Sequence, residues 1–210
     1  MLQLFFDGGP VMYPLLACSV ISLTVIIERS VFWFWTDRLR EELLVNEVLE
    51  MGRMGDWKGI RSCTQGSRDY LIRIMISGIL HREFSMTKAM ESAAVDEIQR
   101  MRRMMPVLDT MITVAPLLGI FGTVIGIIVS FDALRSTGIE QPHAVTAGIA
   151  QALITTAAGL GIAILSLFPY NYFNSRIDAA VLRIEKYATS LEIVFDLLSR
   201  KPKPNGHDIP

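Results

Sequence analysis

The chain has 210 residues, 51% hydrophobic and 20% charged, with a mean hydropathy of +0.39 and a net charge of −1. That balance is too apolar for an ordinary soluble domain of this length. It gives no case for a nucleic-acid partner either, because the basic residues are mixed with acids as on a solvated helical face.

The apolar residues gather in uncharged runs: Gly8 to Ile27 (20 residues), Thr110 to Phe131 (22 residues) and Gln141 to Ser175 (35 residues). Each can cross a hydrocarbon core of about 30 Å, so three transmembrane helices are expected. No Lys or Arg precedes the first run, and no small-residue cleavage site ends it. It reads as an uncleaved anchor, not a signal peptide. Glu28-Arg29 and then Phe32-Trp33-Phe34-Trp35 follow, an aromatic belt of the interfacial kind.

Residues 36–105 hold 12 of the 20 Lys and Arg, and the stretch after Ser175 holds six. Only Arg135 lies between the second and third runs, and none precedes the first. The positive-inside rule then sets the N-terminus outside and the C-terminus in the cytoplasm.

Arg38 to Met51 shows an amphipathic helical pattern through Leu39, Leu43, Leu44, Val48, Leu49 and Met51, with Gly52, Gly55 and Gly59 expected to break it. Tyr70 to His81 is a second helical segment. From Ser85 the pattern resumes and runs through SMTKAMESAAVDEIQRMRRMMPVLDTM towards the second span, with Pro106 near the membrane entry. A proline there bends a helix without having to end it. Beyond the third span, Phe173, Ile177, Val181, Ile184, Ala188, Leu191, Phe195 and Leu198 recur at a helical period. One helix from Ala144 to Ser199 would be roughly 80 Å long at about 1.5 Å per residue. Only about 45 Å fits membrane and headgroups, so the rest stands in the cytosol and needs neighbours, most simply other subunits.

The fold class expected is therefore an all-α membrane protein of three transmembrane helices, the second and third extended into a cytoplasmic helical domain. The expected segments are an N-terminus and first span (1–35), a cytoplasmic helical loop (36–105), the second span (106–134), a short periplasmic loop (135–143), the third span (144–174), a cytoplasmic helix (175–199) and a disordered tail (200–210).

The second span reads PLLGIFGTVIGIIVSF. Gly119, Gly122 and Gly126 form a small-residue face, with Thr123 beside it and Ser130 further along. The third span carries Gly148, Ala152, Thr155, Thr156, Gly159 and Ala163 at helical spacing, with Gln151 at their head. Small faces let helix backbones approach closely in a bilayer. The stripes fit either tight packing alone or a weakly polar path, whose hydroxyls steer water or a protonated group without a buried charge.

PLLGIFGTVIGIIVSF followed by GIAQALITTAAGLGIAILSLFPYNYF resembles the MotA/TolQ/ExbB proton-channel family. Three spans and the VIIERSVFW end of the first match its ExbB/TolQ branch. The resemblance implies a homopentamer in the bacterial inner membrane around an ExbD/TolR-type partner with one span. That partner carries the proton-binding Asp, and the complex passes energy to the envelope through TonB- or TolA-type proteins. It maps pore-facing threonines onto Thr123 and Thr156. On the stripes' own pattern Thr155, Gln151 and Ser130 are expected along the same path, and Gly119, Gly122, Gly126, Gly148 and Gly159 at the helix packing. Where well-known ExbB members have GIAEAL, this chain has Gln151, which cannot titrate. The titrating step would then rest on the partner's Asp, or ion handling would be altered. A non-conducting scaffold that assembles a partner helix in lipid is the other reading.

An enzyme is not expected. The spans carry no Ser/His pair, aspartate pair or metal-ligand spacing, and no GxxxxGK[ST] phosphate loop occurs. No cofactor or metal is implied. Cys18 and Cys63 fall in different compartments, which argues against a disulfide.

Overall fold

The computed structural model describes residues 7–137 and 142–199. The described residues form α1 (Met12–Arg38), α2 (Glu42–Met54), α3 (Trp57–Cys63), α4 (Tyr70–Leu80), α5 (Met86–Arg102), α6 (Met105–Thr137) and α7 (Pro142–Ser199), with no strand among them. The expected tail over 200–210 and the middle of the expected 135–143 loop lie outside the described residues. Three helical stretches are long and apolar enough to cross a membrane: Met12–Arg38, Met86–Arg135 and Thr146–Leu198. The all-helical, three-span class stands. The third span continues without interruption through the 58 residues of α7, as the unbroken periodicity predicts.

The chain divides into two compact units, one of Met1–Val31 and Met104–Asn174, the other of Phe32–Arg103 and Ser175–Pro210. The first is built from the uncharged runs. Val11, just ahead of α1, and Leu15 and Cys18 within it are buried with Ala115 of α6, and Leu118, Ala158 and Ile162 pack around them. Its outer surface stays apolar: Leu23, Phe121, Ile128, Leu153, Leu165 and Phe168 are all more than half exposed. Such a surface is compatible with lipid or a neighbouring subunit and not with water.

In the second unit α4 is apolar nearly all round. Leu71, Ile72, Ile74, Met75 and Ile79 are buried, as expected of a central helix. Asp69 caps it by accepting from Leu71 N–H (2.8 Å), and its other oxygen takes Glu41 N–H (2.8 Å). Met90 of α5 lies directly over Gly78, leaving no room for a Cβ there. On α7, Ile177, Ile184 and Leu191 are buried, as their spacing predicts.

Three local features differ from the expectation. Gly52 does not break α2: it is buried inside the helix, where Val194 and Leu191 lie close to where its Cβ would be. The break falls at Gly55, whose φ of 75° is a left-handed C-cap that glycine adopts without a Cβ penalty. Gly59 likewise sits inside α3, donating its N–H to Asp56. The inner face of α2 is Val45, Val48 and Gly52, which leaves Leu43 87% exposed. The helical course from Ser85 has one interruption, at Arg103 and Met104, where Met104 takes a φ of 66°. Pro106 explains its place: in an unbroken helix its ring would collide with the carbonyl four residues back, that of Arg102. After the break Pro106 stands in the first turn of α6, where its missing N–H has no helical partner to lose.

Candidate functional site

The two small-residue stripes face each other within one chain. A methyl group built on Gly119 would lie 3.0 Å from the Cα of Thr156, and one on Gly159 would lie 2.4 Å from the carbonyl oxygen of Ala115. One on Gly126 would meet the carbonyl of Gly148 at 2.8 Å and the Cβ of Ala152 at 2.9 Å. Residues 115 to 130 thus descend α6 as 159 to 148 ascend α7, and the backbones come close enough that only small side chains fit between them. In a bilayer, where lipid tails offer no hydrophobic drive, dispersion across such a seam is what holds two spans together.

The hydroxyls divide into two groups. Thr155 is fully enclosed, against the position a Cβ on Gly122 would take, and donates to its own helix at Ala152 O (2.9 Å) and Gln151 O (3.2 Å). Ser130 is buried over Gly148 and donates to Gly126 O (2.8 Å). Both belong to the seam. Thr123 and Thr156 are half-buried. Thr123 Oγ1 donates to Ile120 O (2.5 Å), and Thr156 Oγ1 crosses between helices to Gly119 O (3.0 Å). Hydroxyls from two helices are therefore anchored on adjacent carbonyls of one turn of α6. With its proton so directed, each hydroxyl oxygen keeps lone pairs that can accept a hydrogen bond.

Gln151 is half-buried and lies directly on the chain's own N-terminal turn. A methyl on Gly9 would be 2.0 Å from Gln151 Nε2, and Gly9 has a φ of 70°. This neighbour was not foreseen from the sequence. The signal was Gly8-Gly9-Pro10 at the mouth of the first run, a pair of residues without Cβ beside a helix start. The acids nearest the second run, Asp109 and Asp132, are both exposed.

Known proteins resemble the chain along most of its length. A family model described as the MotA/TolQ/ExbB proton channel family matches residues 68–186. The ExbB-like 3 protein of Synechocystis sp. is 34% identical over 203 residues, covering 93% of this chain and 95% of that one. The ExbB-like 1 protein of the same organism is 34% identical over 216 residues, covering 98% and 84%. The Tol-Pal system protein TolQ of Haemophilus influenzae is 32% identical over 184 residues, covering 79% and 78%.

Proposed function

The chain belongs to the MotA/TolQ/ExbB proton channel family, on its ExbB/TolQ branch, and from that membership and its three spans we propose a ring subunit of a membrane motor driven by the proton-motive force. The ring is a homopentamer in the bacterial inner membrane, with the N-terminus outside and residues 36–105 and 175–199 in the cytoplasm. It encloses the single span of an ExbD/TolR-type partner, and the two together conduct protons. Work passes to the envelope through a TonB- or TolA-type protein.

The observation that carries this reading is the pair of engaged hydroxyls, Thr123 and Thr156. A protonated carboxyl group donates one hydrogen bond; a carboxylate only accepts. A wall whose hydroxyl protons already point at Gly119 O and Ile120 O welcomes the neutral acid and gives the ionised one no donor. The ring wall then holds the partner's aspartic acid in its protonated form, and the proton is released where water replaces the wall. No acid lies in the second or third uncharged run, so the titrating group comes from the partner. Gln151 lies against Gly9 and on this reading takes no part in the transfer. Thr155 and Ser130 hold the seam. One charge crossing 100 mV releases about 2.3 kcal/mol, so several protons would drive each mechanical step.

The test is proton flux into proteoliposomes holding the subunit alone or with its partner. Flux only with the partner is expected, and full flux from the subunit alone would refute the division of labour. A non-conducting scaffold is the second reading, favoured by the close seam itself. It predicts that the assembled complex carries no flux at all.

A further inference from the structure

A cavity of about 300 Å³ opens in the second unit between the end of α1 and the middle of α7, its wall including Trp33, Asp37, Arg40, Tyr70, Arg176 and Arg183. It is at the small end of the range for ligand pockets. Three guanidinium groups border it, each about 30% exposed. Arg176 pairs with Asp37 and lies over the Trp33 ring, 5.2 Å from its centroid. Arg183 and Arg40 share Glu42, and Arg40 also approaches Asp37 at 3.9 Å. With Asp69 acting on Tyr70 from beside it, three cations meet three carboxylates, two of which pair with them directly. Each guanidinium carries five N–H donors, far more than these pairs occupy. Trp33 adds a donor in want of an acceptor: its indole nitrogen is buried with no hydrogen-bond partner. A buried indole N–H ordinarily finds one.

We propose that this cavity is a binding site for a phosphoryl anion, held by Arg40, Arg176 and Arg183 with the Trp33 indole N–H. A fan of unoccupied N–H donors suits an oxyanion with several acceptor oxygens, and guanidinium matches phosphate geometry in particular. The place in the chain favours a phospholipid headgroup over free phosphate. Trp33 stands six residues beyond the first uncharged run and Arg176 directly follows the third, so both helices carry the cavity just where their apolar stretches stop. Arg176 is pre-set by its stack on Trp33. Tyr70, its phenol kept neutral by burial, offers a further donor at the wall. The site goes beyond conduction: it would fasten the end of α1 and the cytoplasmic part of α7 to one bilayer face.

The test is the melting temperature of the full chain in neutral detergent, titrated with dioleoylphosphatidylglycerol, dioleoylphosphatidylcholine or inorganic phosphate. A ligand that binds only the folded state raises it saturably. The glycerol lipid should do so and the choline lipid should not. Arg183→Gln and, separately, Trp33→Phe should raise the half-saturating concentration about tenfold, as expected for one charge-assisted bond lost. Arg53→Gln, at an exposed pair with Glu50, should leave it unchanged. A response to the lipid and not to phosphate assigns the site to headgroups; the reverse assigns it to free phosphate. No saturable rise with either anion overturns the proposal, and so does a rise that survives both substitutions. If Arg183→Gln fails to fold, Trp33→Phe decides, because it removes the N–H and keeps an aromatic face under Arg176.

Discussion

Thr156 donates its hydroxyl to the carbonyl of Gly119, 37 positions earlier in the chain and 3.0 Å away. The bond exists because Gly119 has no side chain to hold the two backbones apart. It also fixes what Thr156 can offer outward. A hydroxyl whose proton is engaged presents lone pairs, and the same holds for Thr123 one carbonyl along.

The seam that permits this contact should be intolerant of a single methyl. Gly159→Ala puts a Cβ where the Ala115 carbonyl oxygen would be 2.4 Å away, a backbone atom that cannot rotate aside. The expected loss is about 1–3 kcal/mol, typical of forced overpacking. Melting in detergent, followed by circular dichroism, would show it as a lowered midpoint. Gly161→Ala, with nothing within 4 Å of its Cβ, should melt no lower than the parent, because alanine is the better helix former.

Gln151 should prove dispensable for conduction and Gly9 indispensable for the N-terminal turn. Gln151→Ala removes a side chain that rests on Gly9, so flux with the partner should stay within about twofold, an effect under roughly 0.5 kcal/mol. Gly9→Ala meets both a φ of 70° and Gln151 Nε2, and should destabilise by about 1–2 kcal/mol. Flux assays on the first and melting of the second check the two halves.

Asp69 ties the start of α4 to the chain before α2 through two backbone N–H groups. Asp69→Ala removes a cap and leaves Leu71 N–H and Glu41 N–H without the carboxylate. A loss of about 1–3 kcal/mol is expected, measured as a shift in thermal midpoint.

Tyr70 gives an alkaline signature. Burial, aided by the charge of Asp69 and opposed by Arg40, pushes its phenol from 10 up to about 12. The folded pKa is raised, so the contribution is complete below pH 10. Above that the unfolded chain loses the proton first, and stability falls until the folded phenol ionises as well. Melting midpoints should drop between pH 10 and 12, and Tyr70→Phe should flatten that part of the drop.

Much of this was legible from charge and period alone. Uncharged runs mark spans because ions are expensive in lipid, and the spacing from Phe173 to Leu198 announces one long helix because no proline or glycine interrupts the stripe beyond Pro169. The glycines and alanines of the seam were visible as a face, but not what they face. Thr155 and Thr156 are adjacent in sequence and chemically identical. Only the rotation of α7 against α6 encloses the first and leaves the second half-exposed. The Arg103–Met104 break was hidden because the clash that causes it lies between Pro106 and a carbonyl four residues back. The arginine cavity could not be read at all: Trp33, Arg40, Tyr70 and Arg176 are brought together by folding alone.

In the proposed mechanism the ring supplies hydroxyl acceptors for the partner's protonated acid. Thr156→Val removes one of them, since valine nearly keeps the shape and lacks the oxygen. The bond to Gly119 is worth only about 0.6–2 kcal/mol, so the complex should still assemble. Size-exclusion profiles with the partner should be unchanged, while proton flux into proteoliposomes should fall by about tenfold or more, the loss of one hydrogen bond to the moving acid. An assembled Thr156→Val complex that conducts as the parent does would contradict the account.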